Sequence, residues 1–281
     1  MRDYFCGWYI KCQNDSQTVA FIVAYHVTNN VKSCSLQVIT DGGAWNVEYP
    51  FEDFHMDDSG VTIGPNWFKK SGCYLDIREN GLSLQGELTF DEFAPIAYDI
   101  MGPFKYVPFM ECRHSVFSMR HRVDGALSIN GEAFPFENSV CYIEGDRGYS
   151  FPKDYLWTQC CFEGGSLMLS VAHIPFCGLH FTGVIGVIHH EGREYRLATY
   201  RGARAVKIEN GEAVIRQGDK TLTVRLIEKK AHPLAAPTAG GMNRTIRESA
   251  ACKVYYHYQE KGKTVFEFTS DRAAFEYEYP R

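Results

Sequence analysis

The sequence predicts an all-β protein built in two halves. Three observations carry that expectation: an aromatic-rich composition, segments in which apolar residues alternate, and Gly-containing turns at short intervals between them. Aromatic residues make up 14% of the 281, with 17 Tyr and 19 Phe. Tyr, Phe, Val and Thr suit a half-buried pleated surface. Gly81-Leu-Ser-Leu-Gln-Gly-Glu-Leu-Thr-Phe90 alternates at Leu82, Leu84 and Leu88, which puts three leucines on one face of a strand. Ala126-Leu-Ser-Ile-Asn-Gly-Glu-Ala-Phe-Pro-Phe136 reads as a hairpin, because Asn130-Gly131 supplies the positive φ angles of a type I′ turn. Asn210-Gly211 repeats the device, and Gly218-Asp219-Lys220 leads into the alternating strand Thr221 to Ile227. Near the C-terminus, Lys253 to Tyr258 and Thr264 to Phe268 flank a Glu-Lys-Gly-Lys turn. Short strands at this spacing predict a barrel or sandwich rather than alternating β and α units.

Helical signals are few. Thr245 to Ala251 reads as a short helix after a loop, His232 to Asn243, rich in Pro, Ala and Gly. Asp91 to Pro108, with Pro95, Pro103 and Pro108, reads as irregular. Strand count and loop placement divide the chain into residues 1–138 and 139–281, with no close repeat linking them.

The formal net charge of -5 argues against broad electrostatic binding to nucleic acid or to an anionic membrane, so neither is expected as a partner. No apolar run approaches the length of a membrane-spanning helix; the most apolar stretch, Phe181 to Ile188, holds two glycines. The ten cysteines include no C-x-x-C pair, and several stand in apolar runs, where a thiol behaves as a small hydrophobe. With an N-terminus unlike a signal or transit peptide, these features predict a reduced cytoplasmic protein.

Three motifs add a resemblance. The opening Tyr4-Phe-Cys-Gly-Trp-Tyr-Ile-Lys11 is similar to a Y-F-E-G-W-Y-F-K start, with Cys6 where a Glu is usual. The run Pro108-Phe-Met-Glu-Cys-Arg-His-Ser-Val-Phe-Ser-Met-Arg-His121 continues through Tyr142-Ile-Glu-Gly-Asp-Arg-Gly-Tyr-Ser-Phe-Pro152 and Trp157-Thr-Gln159. Met242-Asn-Arg-Thr-Ile-Arg-Glu-Ser249 is the third. In order and spacing they resemble the tocopherol cyclase family in its bacterial form, and more distantly the carotenoid 1,2-hydratases and lipocalin-like pericyclases. The resemblance implies two tandem lipocalin-like (calycin-type) antiparallel β-barrels with an apolar cavity in or between them. It also implies a hydrophobic small-molecule ligand and cofactor-free chemistry: protonation of a prenyl double bond and trapping of the cation by a phenol oxygen. Cys6 departs from the family pattern, which leaves any role of the usual Glu open.

Protonating a trisubstituted alkene requires an acid that stays protonated near neutral pH in a site that excludes water. Aromatic faces can then stabilise the cation. Residues 142–159 hold the right inventory: Glu144 and Asp146 as candidate acids, with Tyr142, Tyr149, Trp157 and Gln159 as candidate substrate contacts. Gly145-Asp146-Arg147-Gly148 also reads as a plain turn. Glu111 and His114 form a second candidate set. In a strand, Cys112 and His114 share one face and Glu111 and Arg113 the other, and an inward-facing His114 would be an acid, a base or a phenol partner. Asn243 and Arg247 of the third motif are candidate head-group contacts, with Arg244, Arg247 and Glu248 read alternatively as an ion-pair cluster. Trp8 is expected to plug the closed end of the barrel, as the Trp near the first strand of lipocalins does, with cavity lining as the alternative. No metal site is expected: His173-x3-Cys177-x2-His180 matches no zinc pattern, and His189-His190 would point to opposite faces of a strand.

The leading expectation is therefore a cyclase-like enzyme acting on an isoprenoid or quinol-type molecule by proton-initiated cyclisation, hydration or isomerisation. The competing one is a non-catalytic carrier of a lipophile, and a homodimer is compatible with either. A buried ionisable group at the site favours the first, and an apolar cavity without one favours the second.

Overall fold

The computed structural model describes residues 3–108, 110–176, 179–228, 232–238, 241–248 and 250–280, with the side chains of 175–180 and 229–249 outside the description. The chain divides into two compact units. Unit 1 comprises Met1–Pro95, Met110–Phe151 and Pro233–Thr245, and unit 2 comprises Ile96–Phe109, Pro152–His232 and Ile246–Arg281. The fold class is as the sequence predicts: all-β, antiparallel and lipocalin-like, with a few short 3-10 helices such as Gly102–Tyr106 in the Pro-bearing stretch.

Unit 1 opens with β1 (Tyr4–Gln13), β2 (Thr18–Thr28), β3 (Val31–Thr40) and β4 (Ala44–Tyr49). Five short or medium strands follow: β5 (Phe54–Asp57), β6 (Gly60–Ile63), β7 (Asn66–Lys69), β8 (Gly72–Glu79) and β9 (Leu82–Phe90). Two long ones, β10 (Cys112–Ile129) and β11 (Glu132–Gly148), complete its main sheet. They form one sheet in the order β4-β3-β2-β1-β11-β10-β9-β8-β7-β6-β5, so that β1 closes against β11 at its centre. β11 is continuous across residues 138 and 139, and unit 2 resumes at Pro152.

Unit 2 contains β12 (Tyr155–Phe162), β13 (Gly165–Phe176), β14 (Leu179–His190), β15 (Arg193–Ala198), β16 (Arg204–Glu209), β17 (Glu212–Gln217) and β18 (Lys220–Glu228). A separate two-stranded sheet, most of which falls in unit 1, is made by β19 (His232–Thr238) and β20 (Gly241–Glu248). Unit 2 ends with β21 (Cys252–Glu260) and β22 (Lys263–Tyr277), and its sheet runs β15-β14-β13-β12-β22-β21-β18-β17-β16. The expected helix after Thr245 is thus corrected to strand up to Glu248, and much of the expected loop before it is strand as well.

Alternation is what makes these strands. In β9, Leu82, Leu84, Leu88 and Phe90 are buried while Ser83, Gln85, Glu87 and Thr89 are exposed. Type I′-like turns hold the hairpins in register, with φ of 51° and 83° at Asn130-Gly131 and 51° and 75° at Asn210-Gly211. The inward sets build one apolar core per unit, around Phe21, Leu36, Leu75, Ile77 and Phe136 in unit 1 and Leu169, Val184, Tyr256, Tyr258 and Phe275 in unit 2. Cys12, Cys34, Cys73 and Cys141 pack in the first core and Cys160 and Cys252 in the second. The cysteines among the described residues are free thiols. Trp8 packs against the first core and lines a cavity there.

Leu75 is fully buried, so Leu75→Ala removes its transfer free energy and leaves a void, a loss of about 2–5 kcal/mol. Val31, 68% exposed, sets the comparison, since Val31→Ala should change stability by less than about 0.5 kcal/mol. Urea denaturation of both variants checks whether the core lies on the face assigned to it.

Candidate active site

The alternation of β11 sorts its residues onto two faces. Cys141 and Ile143 enter the core of unit 1, so Tyr142, Glu144 and Asp146 point the other way. The Gly145-Asp146-Arg147-Gly148 segment is strand and not the turn that its composition suggested. Pairing brings complementary groups to the same face. On one side, β10 sets His114 opposite Asp146 and Val116 opposite Glu144. On the other, β1 sets Gly7 opposite Asp146, Tyr9 opposite Glu144 and Lys11 opposite Tyr142. The β10–β11 ladder shifts register between Val116 and Ser118, just past this pairing. Bulges of this kind re-aim side chains beside functional sites.

The result is a compact ionisable cluster. His114 Nδ1 lies 3.0 Å from Asp146 Oδ1, and Nε2 lies 3.1 Å from Glu144 Oε2. The first contact is a hydrogen bond; the second is in ion-pair range without hydrogen-bond alignment. The Tyr142 hydroxyl donates to Glu144, and the Cys112 thiol donates to Asp146 at 3.2 Å. Cys112 and His114 do share a face, as the strand reading required, but it is the face away from the core. The side chains of His114 and Glu144 are 8% and 5% exposed, whereas that of Asp146 is 25% exposed. The cluster therefore has a dry end at Glu144 and Tyr142 and a partly open end at Asp146.

Two opposing effects set the charge of His114. Burial disfavours the imidazolium, but the charges of Glu144 and Asp146, reinforced by hydrogen bonding, hold its pKa well above the ordinary histidine value. Burial, and then the neighbouring Asp146 charge, push the Cys112 thiol well up, so it stays protonated and is no nucleophile. Across the sheet, Cys6 sits opposite Arg147, and burial raises its thiol to about 11 against the pull of that guanidinium. Cys6 is thus a neutral group beside the cluster's strand.

His114, Glu144 and Asp146 also offer ligand atoms within 4.8 Å of one another, a donor set able to hold a cation that the sequence patterns did not suggest. A cation there would have to displace the proton held on His114, so its affinity would fall as pH drops. Of the histidines considered for metal binding, His189 pairs with Glu194 at 3.0 Å and His190 stacks on Phe162. His173 faces Asp154 at 3.6 Å, while Cys177 and the side chain of His180 lie outside the described residues.

Glu111 precedes β10, and its carbonyl accepts the backbone N–H of Tyr149 at 2.9 Å. Trp157 and Gln159 belong to unit 2, on the face of β12 away from the second core, with Trp157 opposite Glu276 and Gln159 opposite Ala274. The side chains of Asn243, Arg244, Arg247 and Glu248 lie outside the described residues. Three further residues share the cluster's face of unit 1: Tyr9, Lys11 and His26. Lys11 is 1% exposed, and burial lowers the pKa of His26 to about 4. Their odd–even spacing from the core residues Ile10, Phe21 and Val23 was the available signal for them.

Comparison with known proteins agrees with this architecture. The family model described as tocopherol cyclase-like matches residues 83–277. A probable chloroplastic tocopherol cyclase of Oryza sativa subsp. japonica is 27% identical over 188 residues, 60% of this chain. The match spans 40% of the length of that rice protein. Two solved structures share the fold. Kievitone hydratase from Nectria haematococca aligns with a TM-score of 0.56 at 12% identity, covering 99% of this chain and 89% of its own. CghA, solved with Sch210972, aligns with a TM-score of 0.60 at 9% identity, covering 98% and 88%. The family match takes in well over half of the sequence, including the whole cluster from His114 to Asp146, and the chain belongs to the tocopherol cyclase-like family.

Proposed function

We propose that this protein is a cofactor-free enzyme that initiates cyclisation, hydration or isomerisation of a hydrophobic isoprenoid or quinol-type molecule by proton transfer. The observation that carries the reading is the imidazole of His114 held between a buried and a partly open carboxylate, whose charges raise its pKa. The cyclase and hydratase names of the rice and Nectria proteins support the same class of chemistry.

In this reading Glu144 is the proton donor. His114 supplies its proton through Nε2, and Asp146, the more open carboxylate, positions the ring and replenishes it through Nδ1. Transfer from Glu144 to a trisubstituted alkene forms a C–H bond and leaves a tertiary cation. A hydroxyl oxygen, from the substrate or from water, closes on the cation and loses its proton, which returns to the cluster. No electrons change hands, so no redox partner is required. Tyr142, hydrogen-bonded to Glu144, and Tyr9, paired across from it, place aromatic rings at the dry end, where a developing cation gains from their faces. Gly7 adds no side chain opposite Asp146.

The test is incubation with a panel of prenylated hydroquinones, followed by chromatography and NMR of the products. Wild type should form a chromanol or a hydrated or isomerised product, and Glu144→Gln should lose roughly a hundredfold or more in kcat. Asp146→Asn should lose less, since it removes the positioning group and leaves the donor. Full turnover by Glu144→Gln would remove the assignment, and saturable binding without conversion by wild type would make the protein a carrier.

The pH profile supplies a second check. His114 has a raised pKa, so its proton is present below and through neutral pH and is lost only as pH climbs past the ordinary histidine range. Turnover should therefore hold through neutrality and fall on the alkaline side, in parallel with the stabilisation that the charged ring gives the fold. Activity that rises as pH passes from neutral to alkaline would contradict a proton-donating role.

A further inference from the structure

The main sheet of unit 1 consists of two runs of strands, β1 to β4 and β5 to β11, each pairing neighbours in chain order. The runs join at a seam where β1 pairs with β11. Cys12 and Cys141 stand directly opposite each other in that seam. Both belong to the core and neither is exposed to solvent. The Cys12 thiol donates to the Cys141 sulfur at 2.9 Å, so the two sulfurs touch across positions 129 residues apart. Opposite residues of an antiparallel pair hold their Cα atoms about 4.5–5.5 Å apart, which lies within the span of a disulfide.

A buried thiol fills core space as a small hydrophobe, and that role accounts for either cysteine alone. It does not require that the two face each other. Both are free thiols in this structure, so the geometry of a bridge is present without the bond. A small oxidant also has a space beside them. Ile10 and Ile143, the next opposed pair on the same face, line a cavity of about 250 Å³ whose lining includes Met56, 50% exposed. Water takes up about 30 Å³ per molecule in the liquid, so hydrogen peroxide fits such a volume. Cys73 is fully buried in the same core, but β8 pairs with neither β1 nor β11, and no ladder sets its sulfur opposite either thiol.

We propose that Cys12 and Cys141 form an oxidation site, at which hydrogen peroxide converts the pair into a reversible cross-strand disulfide that staples the seam of the sheet. One sulfur takes an oxygen from the peroxide as its O–O bond breaks, giving a sulfenic acid and one water. The second sulfur then displaces the hydroxyl of the sulfenic acid, the S–S bond forms, and the thiol proton leaves with that hydroxyl as a second water. The two thiols together lose two electrons, and the peroxide gains them. The bridge lies on the core side of β1 and β11, while Tyr142 and Glu144 occupy the other face, so the site does not depend on the function proposed for the ionisable cluster.

The test treats the full chain with hydrogen peroxide, alkylates the remaining thiols with N-ethylmaleimide in denaturant, and maps the unreduced peptides by mass spectrometry. Wild type should lose the thiols of Cys12 and Cys141 together, give a peptide linked through them, and recover both thiols with dithiothreitol. A bridge across 129 positions restricts the unfolded chain, so the oxidised protein should unfold at a higher urea concentration than the reduced one. Cys12→Ala and Cys141→Ala should each abolish the linked peptide and the gain in urea midpoint, while Cys73→Ala should keep both. The wild-type map decides the matter even where a core variant does not fold. Cys12 and Cys141 both alkylated after peroxide treatment would overturn the proposal. A link from either of them to Cys73, or a sulfinic acid on one of them with no link, would overturn it as well.

Discussion

The imidazole of His114 is buried where a charged ring is costly, and two carboxylates within 3.1 Å restore more than burial removes. The rest of the site is arranged around that balance. A single neighbouring carboxylate at a dry position would itself be driven towards its neutral form. Two carboxylates flanking one imidazole raise its pKa together, and Tyr142 and Cys112 add donors at either end. Such an assembly stores a proton and offers two routes for it, one on each ring nitrogen. It differs from a lone acid in an apolar pocket, because the proton lies on the ring and the carboxylates determine where it goes.

Strand geometry makes the balance possible. Because side chains alternate strictly along β11, the same strand gives Cys141 and Ile143 to the core and Tyr142, Glu144 and Asp146 to the opposite face. The apolar anchoring on one side fixes the register, since a one-residue slip would bury the carboxylates in the barrel and expose the core residues. That register places His114 opposite Asp146. The ionisable cluster is therefore held by core packing, and the core and the ionisable face are two sides of one sheet.

Much of this was legible in the sequence, and the misreadings have physical causes. The strand pattern and the Asn-Gly turns follow from local chemistry, so the all-β architecture could be read directly. Glu144, Asp146 and His114 were recognisable as candidates by type, but their meeting depends on a pairing between positions 32 residues apart, which no local pattern encodes. The Gly145-Asp146-Arg147-Gly148 run looked like a turn because glycine usually marks one. Here its glycines permit close approach: a Cβ on Gly148 would lie 2.0 Å from the carbonyl of Glu111, and one on Gly145 2.8 Å from that of Gly7. The stretch after Thr245 has helix-compatible composition, yet pairing with β19 claims it up to Glu248, a tertiary override of weak local preference. Tyr9, Lys11 and His26 were passed over because each stands in an otherwise apolar strand where a polar residue reads as a solvent-facing position.

The charge state of His114 is the claim on which the chemistry rests, and NMR of the histidine-labelled protein measures it directly. The ring shifts of His114, assigned by comparison with His114→Gln, should report an imidazolium at neutral pH that titrates only above the ordinary histidine range. The double substitution Glu144→Gln and Asp146→Asn should bring that titration down sharply, because burial then acts unopposed. A neutral His114 ring at pH 7 in the wild-type protein would contradict the account, and with it the proton store proposed for this face of the sheet.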